Sequence, residues 1–289
     1  MNNNQFYEKY YLSSDGLKLY YRFYPSQAHK HTKRPVILCL SGLTRNSLDF
    51  HDFAVQYQHD FDLICPDYRG RGLSQYDSNW TNYRAEKYAQ DILTLLESYS
   101  NRDIVIVGTS MGGLLAIGLH QFLEQKLLGA VLNDIGPAVN SNGFARIIQY
   151  IQTDKPQKTI EDCLEWLRQL YPLLKKRPLQ QQLQFTHATY RIAKDNLFHY
   201  NWDTNIAQAL KQASPLPTDL WQRFKSFDPK PVLGLRGALS DVLSADTFQQ
   251  MAQSLPSFTG VTIPGVGHTP SLNEPESLQA LHHFIGQFR

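Results

Sequence analysis

The sequence predicts an α/β fold with a mostly parallel central sheet, helices on both faces of that sheet, and a helical segment inserted between two strands. Short apolar runs alternate with helical patterns, and each run ends in a loop that contains Gly, Pro or Ser. Runs that are apolar throughout are typical of parallel strands buried on both faces. The 289 residues, 42% hydrophobic and 19% charged, can build a large core, and this composition excludes a disordered chain.

The elements follow one another in the order expected of a layered α/β sheet. The chain begins with an aromatic-rich hairpin whose predicted strands are Tyr7–Leu12 and Leu17–Phe23. Further strands are predicted at 35–40, 61–66, 103–107, 128–135, 231–236 and 260–263, and helices at 83–99, 111–124 and 275–288. This alternation of strands and helices indicates parallel pairing, with helices covering both faces.

Residues 138–228 have a different character. They are rich in Gln, Leu and aromatic residues at helical spacing, are interrupted by several prolines and contain no strand-like run. We therefore expect a helical cap (lid) domain at 138–228, inserted into a core domain made of 1–137 and 229–289. An insertion that follows the carboxyl end of a strand emerges beside any site at that edge of the sheet.

The charge balance and the apolar patterning exclude several classes of partner. The 28 basic and 26 acidic residues leave a net charge of +2, which gives no indication of a nucleic-acid partner. The sequence has no uninterrupted stretch of ~18 apolar residues, the length needed to cross a membrane. The first residues lack the features of a signal peptide. Cys39, Cys65 and Cys163 have no metal-ligand spacing, so we expect a cytoplasmic protein with reduced cysteines in its core.

The most specific local motif is Gly108-Thr109-Ser110-Met111-Gly112, which joins a predicted strand to an apolar helix. G-x-S-x-G in this context is typical of a nucleophile elbow, a sharp turn with the serine exposed at its tip. Side chains at the two glycine positions would collide with the neighbouring chain. The motif predicts Ser110 as a nucleophile, and a glycine-rich turn with an incidental serine is the alternative.

A serine hydroxyl is a poor nucleophile unless a base removes its proton, and the base is commonly a histidine oriented by a carboxylate. Among the ten histidines, His268 follows the last predicted strand directly, on the loop Pro264–Pro270. This position favours His268 as the base over a structural role in the turn.

The acid should follow a strand between the nucleophile and the histidine. Asp241 is the first carboxylate after the strand 231–236, and we predict it as the acid because its loop adjoins the last strand. Asp134, at the end of the preceding strand, is the competing candidate. Asp246 lies at the start of a helix, where a capping role is favoured.

Attack by a serine creates an oxyanion, which two backbone N–H groups usually stabilise. One donor should be Met111, the residue after the nucleophile. The second should come from the loop Ser41–Asn46, which follows the strand 35–40, and we predict Leu43. Gly42 would allow the backbone to approach the substrate closely.

Together with the elbow, the segment Asp67-Tyr68-Arg69-Gly70-Arg71-Gly72-Leu73-Ser74 resembles the D-x-R-G-x-G-x-S loop of the α/β-hydrolase superfamily, and the resemblance covers nearly all of the chain outside the insertion. We expect Asp67 and Arg69 to fix a turn. Many members have His-Gly where this chain has Ser41-Gly42.

The resemblance implies acyl-enzyme chemistry, because dehalogenases and epoxide hydrolases of this fold carry an aspartate at the elbow instead of a serine. We expect a small-molecule carboxylic ester as substrate, with a lactone or thioester also compatible. The alternatives are hydrolysis of a C–C bond next to a ketone, or a catalytically silent ligand-binding protein. The chain has no metal-binding motif and no phosphate or dinucleotide fingerprint, so no cofactor or metal is predicted.

Overall fold

The computed structural model describes residues 5–28, 34–212 and 219–289. The strands are β1 (Tyr7–Leu12), β2 (Lys18–Tyr24), β3 (Val36–Leu40), β4 (Asp62–Pro66), β5 (Ile104–Thr109), β6 (Leu127–Asn133), β7 (Tyr190–Ile192), β8 (Phe198–Tyr200), β9 (Val232–Gly237) and β10 (Phe258–Ile263). The helices are α1 (His51–Tyr57), α2 (Ala85–Glu97), α3 (Met111–Leu123), α4 (Ser141–Ile151), α5 (Ile160–Leu170), α6 (Leu179–Thr189), α7 (Asn205–Gln212), α8 (Leu220–Lys225), α9 (Ala245–Ser254) and α10 (Pro275–Gly286).

The central sheet has eight strands in the order β1-β2-β4-β3-β5-β6-β9-β10. The hairpin β1–β2 forms an antiparallel edge. The other six strands, β4, β3, β5, β6, β9 and β10, pair in parallel with one another. Every residue of β3 is buried, as are all but the last residue of β5, because helices cover both faces. The predicted α/β-hydrolase fold class, with its mostly parallel sheet, is confirmed.

Alternate residues of each central strand enter two separate cores. Ile104 and Ile106 of β5 face one core, which includes buried residues of α2, α3 and α8. Val105 and Val107 face the other, which includes buried residues of α1 and α10. Successive side chains of a strand point to opposite faces, so a run that is apolar at every position supplies both cores at once.

The chain between β6 and β9 is largely helical, and it also holds a hairpin that the sequence did not predict. Strands β7 and β8 pair antiparallel, so the expectation of no strand in 138–228 is wrong.

His199 of β8 lies between two carboxylates, with Nδ1 2.6 Å from Asp154 and Nε2 2.9 Å from Asp195. The hydrogen bond to Asp154 raises the pKa of His199 most, and the bond to Asp195 raises it further. Residues 213–218 of this interval lie outside the described part of the chain.

Helix α8 packs with the sheet, although the sequence-based boundary assigned it to the insertion. It contacts α3, and Phe224 of α8 lies edge-on to Phe258 of β10, with ring centroids 5.8 Å apart. Phe227, just after the helix, packs against His120 of α3 in the same manner. Strand β6, helix α8 and strand β9 therefore form a crossover connection between two parallel strands. The inserted chain lies between β6 and α8.

All three cysteines are buried and free, as expected for core residues. Within the described ranges, no helix combines the length and apolar character needed to cross a membrane.

Candidate active site

Ser110 stands at the sharp turn between β5 and α3. Its φ of 52° and ψ of −116° are a strained backbone conformation for a residue with a side chain. A Cβ added to Gly108 would lie 2.5 Å from the carbonyl oxygen of Gly112, and one added to Gly112 would lie 2.0 Å from that of Leu40. The two glycines are therefore required by close contacts, as the motif predicted.

His268 meets Ser110 across the carboxyl edge of the sheet. The Nε2 atom of His268 is 2.8 Å from Ser110 Oγ. Buried Asn133, the last residue of β6, links the two loops because its Nδ2 donates to Thr109 Oγ1 at 3.1 Å and to the Pro270 carbonyl at 3.0 Å. The sequence analysis missed Asn133, whose only signal is its position at the end of a strand beside the elbow.

The carboxylate beside His268 belongs to Asp134. Its Oδ2 is 2.7 Å from His268 Nδ1, and the same oxygen accepts a 2.7 Å hydrogen bond from Ser240 Oγ. The other oxygen accepts from the Gly237 N–H at 2.8 Å. Asp134 is fully buried, so these three donors replace the water that an exposed carboxylate would bind. An Nδ1–H bond to Asp134 leaves Nε2 free to accept the Ser110 proton.

Asp241, the acid chosen from the sequence, lies elsewhere in the same cleft. Its carboxylate forms a two-point ion pair with Arg146 of α4, with distances of 2.7 and 3.1 Å. Burial alone would raise the pKa of Asp241, but the Arg146 guanidinium holds it below its usual value. The last residue of β9, Gly237, and Ser240 in the following loop thus donate to Asp134. Asp241 of the same loop is paired with the insertion.

The loop predicted to carry an oxyanion donor lies against the elbow. A Cβ on Gly42 would be 3.9 Å from Ser110 Cβ. Gly42 therefore lies against Ser110, and Leu43 is the next residue along the loop. In the described part of the chain, the backbone N–H groups of Leu43 and Met111 have no hydrogen-bond acceptor. The hydroxyl of Ser41 is buried and likewise has no partner among the described residues.

Residues 67–74 support this loop from below. Arg71 Nε donates to the Leu43 carbonyl at 2.8 Å, and the Tyr68 hydroxyl donates to the Ser41 carbonyl at 3.2 Å. Asp67 accepts from backbone N–H groups of Ser47 and Leu73, and burial raises its pKa to about 6.

Arg69 is fully buried among three carboxylates, those of Asp15, Asp77 and Asp91. Asp67 and Arg69 therefore hold the turn, as expected.

A cavity of about 1080 Å³ opens above Ser110 and His268. Its walls include both core loops and side chains of the inserted segment, among them Ile147, Tyr171 and Phe185. The ring of Tyr171 packs edge-on against Phe185 at a centroid distance of 5.6 Å. The cavity that contains Ser110 therefore also has an aromatic wall, a common arrangement in small-molecule sites.

Comparison with known proteins agrees with this architecture. Residues 35–275 match the family model of the alpha/beta hydrolase fold. The 3-hydroxybutyrate-oligomer hydrolase of Cupriavidus necator is 28% identical over 258 residues, covering 86% of this chain and 88% of that protein. The 2-(acetamidomethylene)succinate hydrolase of Mesorhizobium japonicum is 26% identical, covering 87% and 88%.

A crystal structure of an alpha/beta hydrolase from Novosphingobium aromaticivorans superposes on this chain with a TM-score of 0.91. It is 34% identical, and the match covers 98% of this chain and 99% of that one. The elbow, the parallel sheet and these matches together establish that the chain belongs to the α/β-hydrolase family.

Proposed function

We propose that this protein is a serine hydrolase that cleaves a carboxylic ester in a small-molecule substrate through an acyl-enzyme. The observation that carries the proposal is the continuous hydrogen-bonded series Ser110–His268–Asp134, with distances of 2.8 and 2.7 Å. This arrangement supplies a nucleophile, a base and a group that orients the base, which is what acyl transfer requires.

In the proposed reaction, His268 Nε2 accepts the Ser110 proton as Oγ attacks the ester carbonyl carbon. The resulting oxyanion would accept hydrogen bonds from the free N–H groups of Met111 and Leu43. Collapse of the intermediate breaks the C–O bond, and the alcohol leaves with the proton from His268. Water then attacks the acyl-enzyme carbonyl as His268 Nε2 takes its proton. The bond between the acyl carbon and Ser110 Oγ breaks, His268 returns the proton to Oγ, and the acid is released.

One relative supports an ester as the bond that is cleaved. The units of a 3-hydroxybutyrate oligomer are joined by ester bonds, and the hydrolase named for that substrate matches this chain over most of its length. The insertion would act as a lid and provide the walls of the acyl pocket, since Ile147, Tyr171 and Phe185 line the cavity above the nucleophile.

Covalent labelling tests this function directly. A fluorophosphonate probe should label the wild type and fail to label Ser110→Ala, and that variant should lose p-nitrophenyl butyrate turnover by about 10⁴-fold or more. The exposed turn residue Ser100 provides a control, because Ser100→Ala should label and turn over like the wild type. Labelling that persists in Ser110→Ala would remove the nucleophile and the proposal with it.

A further inference from the structure

Four arginines line the cavity, and two of them, Arg22 and Arg177, have no ion-pair partner among the described residues. Arg22 stacks over the ring of Phe6. Arg45 is paired with Asp49 and Arg146 with Asp241, each through two hydrogen bonds. Arg177 also lines the cavity, yet no carboxylate of the described residues lies within ion-pair distance of it. Its guanidinium is therefore a cation at the cavity wall without an ion-pair partner among the described residues.

The position of Arg177 relates it to the reacting atoms. Its Nη2 donates to the carbonyl oxygen of Thr269 at 3.0 Å, and Thr269 directly follows His268. A guanidinium has five N–H donors in a planar fork, and this is the one protein acceptor found for them in the described ranges. The remaining donors are available to a molecule in the cavity beside Ser110.

Partial burial and nearby charged side chains set the electrostatic environment of Arg177. Burial lowers the pKa of Arg177, and Glu274 is the carboxylate that most opposes this effect. Glu274 is already engaged, because its two oxygens accept from Ser271 and from the Ser277 hydroxyl. Arg177 is only half-buried, so water can solvate its remaining donors. A ligand carboxylate that replaces this water would gain a charge-assisted, two-point hydrogen bond.

The backbone of Arg177 is fixed before any ligand arrives. Its carbonyl accepts from Gln182 Nε2 at 2.7 Å, and its N–H donates to the Leu174 carbonyl at 3.0 Å. Arg168 in turn donates to Gln182 Oε1 at 2.8 Å. A donor that is held in place loses little freedom on binding, which favours affinity.

We propose that Arg177 binds a carboxylate of the substrate, so that the protein prefers esters carrying a free carboxylate over neutral esters of the same length. This inference rests on the proposed ester hydrolysis and adds the substrate class. The planar fork of arginine fits a carboxylate through two parallel hydrogen bonds, a geometry that lysine cannot reproduce.

The experiment compares mono-p-nitrophenyl adipate with its methyl ester, which has the same acyl chain without the charge. The wild type should show a higher kcat/KM for the charged ester, and Arg177→Gln should lower the charged-to-neutral ratio about 10- to 100-fold. Arg177→Lys should lie between the two. Lys175→Gln is the matched control, because it removes the same charge from an exposed residue outside the cavity lining, and its ratio should stay within about threefold of the wild type.

An unchanged ratio in Arg177→Gln would overturn the inference. An equal fall for both esters would overturn it as well, because the guanidinium would then serve only to hold the Thr269 carbonyl and the His268 loop.

Calorimetric binding of the charged ester to Ser110→Ala, with and without Arg177→Gln, separates this inference from the proposed function. If no ester is turned over, binding that weakens about tenfold on loss of Arg177 still supports the carboxylate site, and unchanged binding contradicts it. If Arg177→Gln does not fold, Arg177→Lys in the same background provides the comparison.

Discussion

Replacement of Asp134 by asparagine tests the acid that the structure places beside His268. Asparagine keeps the shape of the side chain, and its oxygen can still accept from the Gly237 N–H. Its NH₂ group would then face His268 Nδ1, where the carboxylate oxygen lies 2.7 Å away. Because an NH₂ group donates, the imidazole would have to accept at Nδ1 and carry its proton on Nε2.

The size of the expected effect follows from this change of tautomer. An Nε2–H pointing at Ser110 Oγ cannot accept the serine proton. Turnover would then depend on the minor tautomer of His268, in which Nε2 carries no proton. The corresponding substitution in a well-studied triad lowers kcat about 10⁴-fold, equivalent to about 5.4 kcal/mol at 1.36 kcal/mol per tenfold change. We expect a loss of kcat of that order for Asp134→Asn. The free energy of unfolding should also fall by about 1–3 kcal/mol, because the Ser240 hydroxyl already accepts from the N–H groups of Val242 and Leu243 and would lose the oxygen to which it donates.

Asp241→Asn provides the matched control in the same cleft. It breaks an ion pair with Arg146 whose side chains are 41% and 44% exposed, and exposed pairs contribute roughly 0–1 kcal/mol. Its kcat for p-nitrophenyl butyrate should stay within about fivefold of the wild type. Release of p-nitrophenolate measures both variants, and thermal unfolding followed by circular dichroism confirms that they fold. A large loss in Asp241→Asn with normal turnover in Asp134→Asn would refute this reasoning.

Three further predictions concern the elbow, the inserted hairpin and the lid. Gly112→Ala should destabilise the fold by about 3 kcal/mol or more, because its Cβ would meet a carbonyl of β3, whereas Gly118→Ala in open space on the same helix should stabilise it by about 0.5–1 kcal/mol in urea unfolding. Because the folded pKa of His199 is raised, its stabilisation should be fully present below about pH 6.5 and be lost as the pH rises through the folded pKa. The melting temperatures of the wild type and His199→Gln should therefore converge toward pH 9, and a constant difference would exclude the two ion pairs as its source. With p-nitrophenyl esters of increasing chain length, kcat/KM should pass through a maximum that Phe185→Ala moves to longer chains, and a flat response would contradict an apolar acyl pocket.

The fold could be predicted because its strands are fully buried. A strand with apolar residues at every position, such as Val36–Leu40, is recognisable in isolation, and the elbow around Ser110 combines a strand, two glycines and a helix in one short segment. The hairpin β7–β8 was missed because each of its strands has three residues. That length is too short for alternation to be distinguished from the end of a helix.

The sequence favoured Asp241 over Asp134, whereas Asp134 is the carboxylate beside His268, because distance along the chain is a poor guide to distance across a sheet. Strands β6 and β9 pair in register, with Asn133 opposite Leu235, so both place a loop near the histidine. Asp134 immediately follows its strand and is buried there, whereas Asp241 lies four residues beyond the end of β9, far enough to reach the insertion. Its partner, Arg146, comes from a helix whose placement no local pattern specifies.

The way in which the insertion is attached has a consequence for the evolution of this protein. The added chain leaves after β6, at the edge of the sheet where Ser110 lies. The connection through α8 to β9 is one that the parallel strands would need even without the insertion. Such a segment can be lengthened, shortened or exchanged by recombination while Ser110, Asp134 and His268 stay on loops of the unaltered scaffold. With the proposed function, the chemistry and the choice of substrate would be inherited as separate modules, so a descendant could acquire a new substrate through an exchange of this segment alone.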